Sequence, residues 1–441
     1  MALRDQDFFT WREYQRDLSR KRRRKYFLKR LPWLGLCSGA GVLILAILFY
    51  SVAWLSANLE GRAWAPPKQT QPVTPTLSKM DLASILDQLS RDELTSSAFH
   101  NVEHNGLALE VELSIVPELQ RYASNLLGRS MTHAAAVVVL RPETGEILAM
   151  AQTRDESLGE DLCLEAGFPA ASLFKIVAAA AAIEARGFSP ETELTFQGGK
   201  YTLYRNQLKQ QSRGRYAVKT TLKDAFSDSI NPVFGKLGIF DLGRDIMEDY
   251  AYRFLFDRPI PFELPLGVSH FDVPMDDFAL AEIASGFNKR TLISPLHAAL
   301  ITSAVPNEGV IMEPWLVKTV KDASGHVLYQ AEPKILVRAI ENKTAHALRD
   351  LMSETVSGGT ARGAFRPLQR KKTFRDFDFG AKTGSINDPT NQYRVDWLTA
   401  YALPAYKDGG VSVAVLAVHG EKLGVRAREI VRHIIAEYFR S

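Results

Sequence analysis

The sequence of 441 residues contains two cysteines, Cys37 and Cys163. Cys37 falls within a long apolar stretch and Cys163 far beyond it, so no intrachain disulfide is expected. The nine histidines form no H-E-x-x-H motif and no Cys/His ligand array, and His100 and His104 have no third ligand nearby. We therefore expect no metal site, no cofactor and no catalytic cysteine.

The chain also lacks a strong excess of either charge, since its formal net charge is +4. The positive charge is local, because residues 1–30 carry eleven lysines or arginines against four acidic residues. The basic run at residues 20–25 could be a nucleic-acid-binding patch. Beside an apolar segment it is more typical of a topology determinant that stays in the cytoplasm, so we expect no nucleic-acid partner.

Residues 31–55 contain no charged side chain and are long enough to cross a bilayer as a helix. Trp33, Tyr50 and Trp54 lie near the ends of this stretch, as interfacial aromatic residues do. A cleaved signal peptide is the alternative, but the stretch is too long and no small-residue cleavage site closes it. We predict a basic cytoplasmic tail over residues 1–30, one transmembrane helix over residues 31–56, and the rest of the chain across the membrane.

The part after residue 56 divides by composition. Residues 57–78 are proline-rich and predict an extended linker, and residues 79–106 show helical periodicity sufficient for one short juxtamembrane helix. From residue 107 the patterns of strands and helices are mixed, and we expect the first and last strands to share one antiparallel sheet. The predicted strands cover residues 134–140, 147–151, 380–385, 397–402 and 411–418, and the predicted helices residues 116–127, 176–185, 221–229, 278–287 and 426–439. This pattern predicts an α/β (α+β) domain over residues 107–441.

Three short motifs follow one another along the chain: Ser172-Leu173-Phe174-Lys175, Ser229-Ile230-Asn231 and Lys382-Thr383-Gly384. Each alone occurs readily by chance, and unrelated fragments on a helix and loops are the alternative interpretation. Their ordered combination supplies the side chains that serine acyl transfer requires. A lysine three residues after a serine on a helix can reach its hydroxyl, and burial keeps such an amine neutral enough to accept the proton. Ser172 is therefore the candidate nucleophile and Lys175 its base.

With these motifs the chain resembles the penicillin-binding protein transpeptidases, which belong to the serine penicillin-recognising enzymes. Further stretches resemble the family at residues 116–120, 142–150, 293–296, 307–310 and 359–361, so that the resemblance covers roughly residues 107–441. It implies a penicillin-binding/β-lactamase-like fold, with a central antiparallel sheet flanked by helices and an all-helical subdomain. It also implies a bacterial protein, held in the inner (cytoplasmic) membrane with its catalytic domain periplasmic or extracellular.

The resemblance implies a role for each motif residue. Ser172 attacks the carbonyl of a terminal D-alanyl-D-alanine, Lys175 accepts its proton, and Ser229 relays a proton to the leaving amine. Asn231 holds Lys175 and the substrate amide, while Lys382 and Thr383 bind the terminal carboxylate. Gly384 lets the strand pass close to the substrate, and the backbone N–H groups of Ser172 and Ser385 form the oxyanion hole.

We accordingly expect a membrane-anchored peptidoglycan D,D-transpeptidase that acts on stem peptides and is acylated by β-lactams. Because the stretch before residue 107 is short, we expect a compact form without a large non-catalytic or polymerising domain, served by a membrane glycan polymerase as partner. Three alternatives stay open: a D,D-carboxypeptidase, a class D-like β-lactamase and a non-catalytic scaffold subunit. Leu173 and Ser385 depart from the residues common in the family, which leaves the substrate preference open.

Overall fold

The computed structural model describes residues 77–154, 161–210, 217–405 and 409–440. The predicted cytoplasmic tail, the predicted transmembrane helix and nearly all of the proline-rich linker lie outside these residues. Within the described residues no helix combines the length and the apolar character needed to cross a membrane.

The elements of the described residues are numbered in chain order. The helices are α1 Lys79–Leu86, α2 Arg91–Ser96, α3 Pro117–Gly128, α4 Lys175–Arg186, α5 Leu222–Ser227, α6 Asn231–Lys236, α7 Gly243–Arg253, α8 Asp277–Ser285, α9 Pro295–Ala304, α10 Asn342–Ser357, α11 Arg362–Gln369 and α12 Ala427–Tyr438. The strands are β1 Phe99–His104, β2 Leu107–Leu113, β3 Ala134–Leu140, β4 Ile147–Thr153, β5 Phe168–Pro169, β6 Glu193–Phe196, β7 Val218–Thr221, β8 Leu292–Ile293, β9 Val310–Met312, β10 Val317–Asp322, β11 Val327–Gln330, β12 Ile335–Arg338, β13 Phe377–Asn387, β14 Arg394–Pro404 and β15 Val411–His419.

A five-stranded antiparallel sheet with the strand order β13-β14-β15-β3-β4 forms the centre of the domain. Successive side chains of a strand point to opposite faces, and both faces of this sheet are buried. Ala136 and Val138 of β3 join one core with α4 and α9, whereas Val137 and Val139 join the other with α3, α11 and α12. The predicted antiparallel sheet of N-terminal and C-terminal strands, flanked by helices, is confirmed.

Helices α4 to α8 gather in the middle of the chain. Nine consecutive residues of α4, from Lys175 to Ile183, are buried, because this alanine-rich helix is surrounded by other helices, including α7 and α8. A π-helical turn over Leu237–Leu242 joins α6 to α7. This helical region packs on the sheet near β13, so that the first strand of the sheet lies beside the N-terminal end of α4.

The structure differs from the prediction of one short helix over residues 79–106. Two short helices form there, and Ser78 and Ser90 each begin one of them with a capping box. The strand β1 follows and pairs with β2 in a four-stranded sheet of order β1-β2-β10-β11. Apolar periodicity does not predict β1, because its residues are alternately exposed and half-buried and most of them are polar.

Candidate active site

A short 3₁₀ turn places Ser172 beside Lys175. Ala171–Phe174 form this turn, and α4 begins directly after it at Lys175. Residues three apart in a 3₁₀ turn lie one above the other, which brings the two side chains together more directly than the predicted α-helix would. The Nζ atom of Lys175 lies 2.9 Å from Oγ of Ser172.

The Lys175 amine is fully buried and has two further hydrogen-bond partners. It lies 2.8 Å from Oδ1 of Asn231 and 2.5 Å from the carbonyl oxygen of Ser285, the last residue of α8. Burial, and to a lesser extent the charge of Lys382, lower the pKa of Lys175 well below its ordinary value. A neutral amine donates its two N–H groups to these two oxygens and leaves its lone pair for the Ser172 hydroxyl proton.

The second motif sits at a sharp break between two helices. The predicted helix over residues 221–229 ends earlier, at Ser227, and Ser229 adopts a left-handed backbone conformation with φ of +57°. Such a conformation is uncommon for a residue other than glycine and often marks a functional site. Asn231 then begins α6, and its Nδ2 donates a hydrogen bond of 3.1 Å to the Tyr201 carbonyl. This bond leaves Oδ1 of Asn231 facing Lys175.

The third motif lies on β13, and its lysine contacts the second motif. Nζ of Lys382 lies 3.0 Å from Oγ of Ser229 and 2.9 Å from the Thr383 carbonyl oxygen. Lys382 is fully buried, which lowers its pKa to about 7. Nζ lies over the Phe226 ring, 5.4 Å from its centroid, and the face of the ring attracts the charged form of the amine.

The residues after Lys382 run past Ser172. A side chain at Gly384 would contact Ala171 and the backbone nitrogen of Ser172, at 3.3 Å and 3.4 Å from its Cβ. The strand can therefore approach Ser172 closely because position 384 is a glycine. Ser385, whose backbone N–H was predicted to complete an oxyanion hole with that of Ser172, follows directly and is exposed.

Thr360 is a further member of the site that the motifs did not assign. Its hydroxyl lies 2.7 Å from Oγ1 of Thr383 and donates to the Ser227 carbonyl at 3.1 Å. It thereby links the third motif to the end of α5. The sequence contained a partial indication of Thr360, because residues 359–361 resemble the stretch that precedes the third motif in the penicillin-binding protein transpeptidases.

All three motifs meet in one open cleft of about 470 Å³. Sequence reasoning did not find several of its other lining residues, because they come from separate elements and belong to no local pattern. The lining residues outside the motifs and Ser385 are Tyr201, Gly286, Phe287, Thr360, Arg394, Asp396, Trp397, Arg426 and Arg428. Within the described ranges, no group of three or more histidine, cysteine or acidic side chains is arranged to hold a metal ion.

The sequence is similar to a known protein family and to its members. Residues 135–436 match the family model of the penicillin-binding protein transpeptidase domain. A peptidoglycan D,D-transpeptidase PbpA of Mycolicibacterium smegmatis is 28% identical over 345 residues, which are 70% of this chain and 67% of the relative. The chain therefore spans about two thirds of the length of this curated relative.

Solved structures have the same architecture. The D,D-transpeptidase domain of a peptidoglycan glycosyltransferase from Eggerthella lenta superposes with a TM-score of 0.62 at 26% identity, over 75% of this chain and 82% of that one. The penicillin G acyl-enzyme complex of penicillin-binding protein A from Mycobacterium tuberculosis gives a TM-score of 0.59 at 23% identity, over 74% and 80% of the two chains. This second similarity shows a common fold. Together with the family match, which spans more than half of the sequence, these findings establish that the chain belongs to the penicillin-binding protein transpeptidase family.

Proposed function

We propose that this protein is a peptidoglycan D,D-transpeptidase that works through an acyl-enzyme on Ser172. The observation that carries the proposal is the buried Lys175 amine, 2.9 Å from the Ser172 hydroxyl and placed between two hydrogen-bond acceptors. An amine kept neutral in this way is a base for the hydroxyl proton. The relatives named as D,D-transpeptidases support the assignment.

In the acylation step, Oγ of Ser172 bonds to the carbonyl carbon of the penultimate D-alanine while its proton passes to Nζ of Lys175. The carbon–nitrogen bond to the terminal D-alanine then breaks, and the leaving nitrogen takes a proton through the Ser229 hydroxyl. The proton that Lys175 accepted replaces the one Ser229 gives up, so that Lys175 is neutral again for the second step. Ser229 suits this task because its oxygen lies 3.0 Å from Nζ of Lys382 and lines the cleft. An acceptor amine next attacks the ester, its proton leaves through Lys175, and Ser172 recovers its hydroxyl hydrogen.

Two further groups stabilise the reacting peptide. Lys382 in its charged form and the Thr383 hydroxyl bind the terminal carboxylate, which fixes the scissile bond relative to Ser172. The backbone N–H groups of Ser172 and Ser385 donate to the oxygen that becomes negative in the tetrahedral intermediate. The close approach of β13 to the Ser172 nitrogen at Gly384 supports this pairing of donors.

Labelling with a fluorescent penicillin tests the proposed nucleophile. The wild-type protein should form a covalent, slowly hydrolysed adduct, and Ser172→Ala should form none. Ser324→Ala removes an exposed hydroxyl far along the chain and is the matched control, which should label like the wild type. An adduct of unchanged intensity on Ser172→Ala contradicts the mechanism, and rapid turnover of nitrocefin by the wild type favours a β-lactamase.

Residues 31–56 support a membrane anchor, with residues 1–30 in the cytoplasm and the catalytic domain on the outer side of the bacterial inner membrane. The anchored enzyme works beside a membrane glycan polymerase that contacts this helix. Replacing residues 31–56 with an unrelated membrane-spanning sequence should abolish co-purification with a co-expressed polymerase and preserve penicillin labelling. Co-purification that survives the replacement contradicts the helix contact.

A further inference from the structure

The cleft that holds the three motifs is strongly basic at one side. Three arginines line it, Arg394 at the start of β14 and Arg426 and Arg428 at the start of α12. Asp396 is the single acidic side chain among the lining residues that the structure describes. These four residues carry a net charge of plus two, and the reaction described above uses none of them.

One of the arginines is held rigidly. Nε and Nη2 of Arg426 donate to the two carboxylate oxygens of Asp396 at 2.7 Å and 2.8 Å, and the Ala427 backbone nitrogen donates to the same group at 3.0 Å. Burial alone would raise the pKa of Asp396, but the hydrogen bonds and charge of Arg426, with the His419 ring 3.7 Å away, lower it to about 2. The carboxylate thus stays charged and fixes the plane of the Arg426 guanidinium at the wall of the cleft.

The other two arginines are open to a ligand. Nε of Arg394 donates a hydrogen bond of 2.9 Å to Oγ of Ser385, on the strand that carries the third motif. This bond leaves the terminal N–H groups of the guanidinium for a ligand. Arg394 and Arg428 are exposed, and neither forms an ion pair within the described part of the chain. A guanidinium presents several N–H groups in one plane and matches a carboxylate in a bidentate manner.

The position of the arginines along β13 indicates which part of the substrate they meet. Lys382 and Thr383 bind the carboxylate of the leaving residue, and Ser385 lies on the other side of Gly384, at the predicted oxyanion hole. Arg394 faces Asn387 in the strand register, and its Nε reaches back to Oγ of Ser385, three residues beyond Lys382 and so roughly 10 Å along the strand. Arg394 therefore lies on the acyl side of the scissile bond, away from the leaving group, and Arg428 lines the same cleft.

We propose that Arg394 and Arg428, in the cleft that Arg426 also lines, form a second anion site that binds a carboxylate on the acyl-donor part of the substrate. The site selects donor peptides, and β-lactams, whose acyl side chain carries a negative charge in addition to the terminal carboxylate. The inference rests on the proposed acyl-transfer function, and it adds a specificity determinant to that function.

Two penicillins test the site through their acylation rate constants. Carbenicillin has the benzylpenicillin skeleton with one extra carboxylate on the acyl side chain, and both carry the carboxylate that Lys382 and Thr383 bind. We expect the ratio of the second-order acylation constants, carbenicillin over benzylpenicillin, to fall about tenfold in the Arg394→Gln/Arg428→Gln double variant. Because the measured quantity is a ratio, a general loss of activity does not imitate this result.

Matched variants complete the test. Arg121→Gln removes an exposed arginine from α3, outside the cleft, and should leave the ratio unchanged. Arg394→Lys/Arg428→Lys keeps the charge and should restore most of the ratio. An unchanged ratio in the double glutamine variant overturns the proposal, whether or not both constants fall together.

A binding measurement separates this inference from the proposed function. Ser172→Ala protein is titrated by calorimetry with two D-alanyl-D-alanine peptides that differ by a carboxylate or a carboxamide on one side chain of the acyl part. We expect tighter binding of the carboxylate peptide, and loss of that preference when the arginine substitutions are added. Equal binding of both peptides overturns the anion site, whereas absence of penicillin acylation on the wild type overturns the proposed function.

A carboxylate can also be carried by the acceptor, and a comparison of carboxylate and carboxamide acceptors distinguishes this source from the donor. Transfer of the acyl group to D-glutamate and to D-glutamine is compared in the wild type and in the double glutamine variant. If the arginine substitutions change only this acceptor preference and leave the donor preference intact, the assignment to the donor side is overturned.

Discussion

Gly286 packs directly against the backbone of Ala171, the residue that precedes the nucleophile. A Cβ atom at Gly286 would overlap the Ala171 carbonyl group and approach the Ser172 nitrogen to 2.7 Å. Gly286 also ends α8 with φ of +66°, directly after the Ser285 carbonyl that accepts from Lys175. One glycine thus allows the end of α8 to reach both the amine and the turn that carries the nucleophile.

This contact predicts that Gly286→Ala impairs acylation beyond its effect on folding. The left-handed conformation costs an alanine about 1 kcal/mol, and the overlap with Ala171 moves Ser172 as well. We expect the acylation constant for benzylpenicillin to fall more than about tenfold, since misplacement by about 1 Å can reduce a rate 100-fold. Stopped-flow or mass-spectrometric acylation kinetics provide the measurement.

Gly187 offers the matched control for this substitution. It ends α4 with φ of +70°, and a side chain there would meet no atom within 4 Å. Gly187→Ala should therefore carry the same left-handed strain of about 1 kcal/mol without the overlap, and leave acylation within about twofold of the wild type. Equal losses of acylation in both variants would show that helix-end strain, rather than the contact with Ala171, is responsible.

Asn231→Asp should inactivate the base by charging it. A carboxylate 2.8 Å from Nζ favours the protonated amine and raises the pKa of Lys175, so the lysine can no longer accept the Ser172 proton at neutral pH. We expect acylation by benzylpenicillin to fall at least about 100-fold at pH 7, and the ratio of the variant's constant to the wild-type constant at the same pH to recover partially as the pH rises.

Asn231→Ala is the control for that substitution, because it removes the same hydrogen bond without adding a charge. Its acylation constant should fall less than that of Asn231→Asp and should not recover with rising pH in the same way. A pH profile shared by both variants would contradict a neutral Lys175.

The acylation constant should decline on the alkaline side of neutrality. A lysine is charged below its pKa, and burial lowers the pKa of Lys382 to about 7, so the charged form that binds the carboxylate is lost as the pH rises through that value. Second-order acylation constants report the free enzyme, and those of benzylpenicillin, measured from pH 5 to 10, should show this limb.

The methyl ester of benzylpenicillin is the control for the alkaline limb. It lacks the carboxylate that Lys382 is proposed to bind, and its acylation constant, although lower, should not decline near pH 7. Two results would contradict the role of Lys382. The acylation constant of benzylpenicillin would decline only near the ordinary lysine pKa, or the constant of the ester would decline near pH 7 as well.

Asp396→Asn should destabilise the fold in a pH-dependent manner. The depressed pKa of Asp396, about 2 in the folded protein, means that its charged form stabilises the fold above the unfolded-state value near 4. At pH 7 we expect the substitution to lower the free energy of unfolding by about 2.5 kcal/mol, since a pKa difference of one unit corresponds to about 1.4 kcal/mol. The difference should shrink as the pH falls from about 4 toward about 2.

Asp376→Asn provides the comparison for this measurement, because Asp376 is exposed and lies outside the cleft. Denaturant unfolding at several pH values should show almost no effect of Asp376→Asn. A destabilisation by Asp396→Asn that stays constant down to pH 2 would indicate that packing, and not the ion pair with Arg426, accounts for it.

The parts of the fold that depend on local patterns could be predicted from the sequence alone. Continuous apolar runs identified β3, β4 and β15, and the alanine-rich stretch after Lys175 identified α4, because burial of a whole element leaves a strong local pattern. β1 was not found, since its exposed and half-buried residues carry no such pattern. The C-terminal end of α5 was also misplaced, because the left-handed conformation of Ser229 has no sequence cue.

For the site, the sequence determined the chemistry, and the tertiary structure determined the environment. Three motifs separated by long stretches of chain specified two serine hydroxyls, two amines and an amide, which are the groups that acyl transfer needs. Only the folded chain decided that Lys175 is buried against Asn231 and the Ser285 carbonyl, and that Arg394, Arg426 and Arg428 share the cleft. The physical reason is that pKa shifts and charge clusters depend on desolvation and on neighbours from distant parts of the chain, neither of which is encoded in a local sequence pattern.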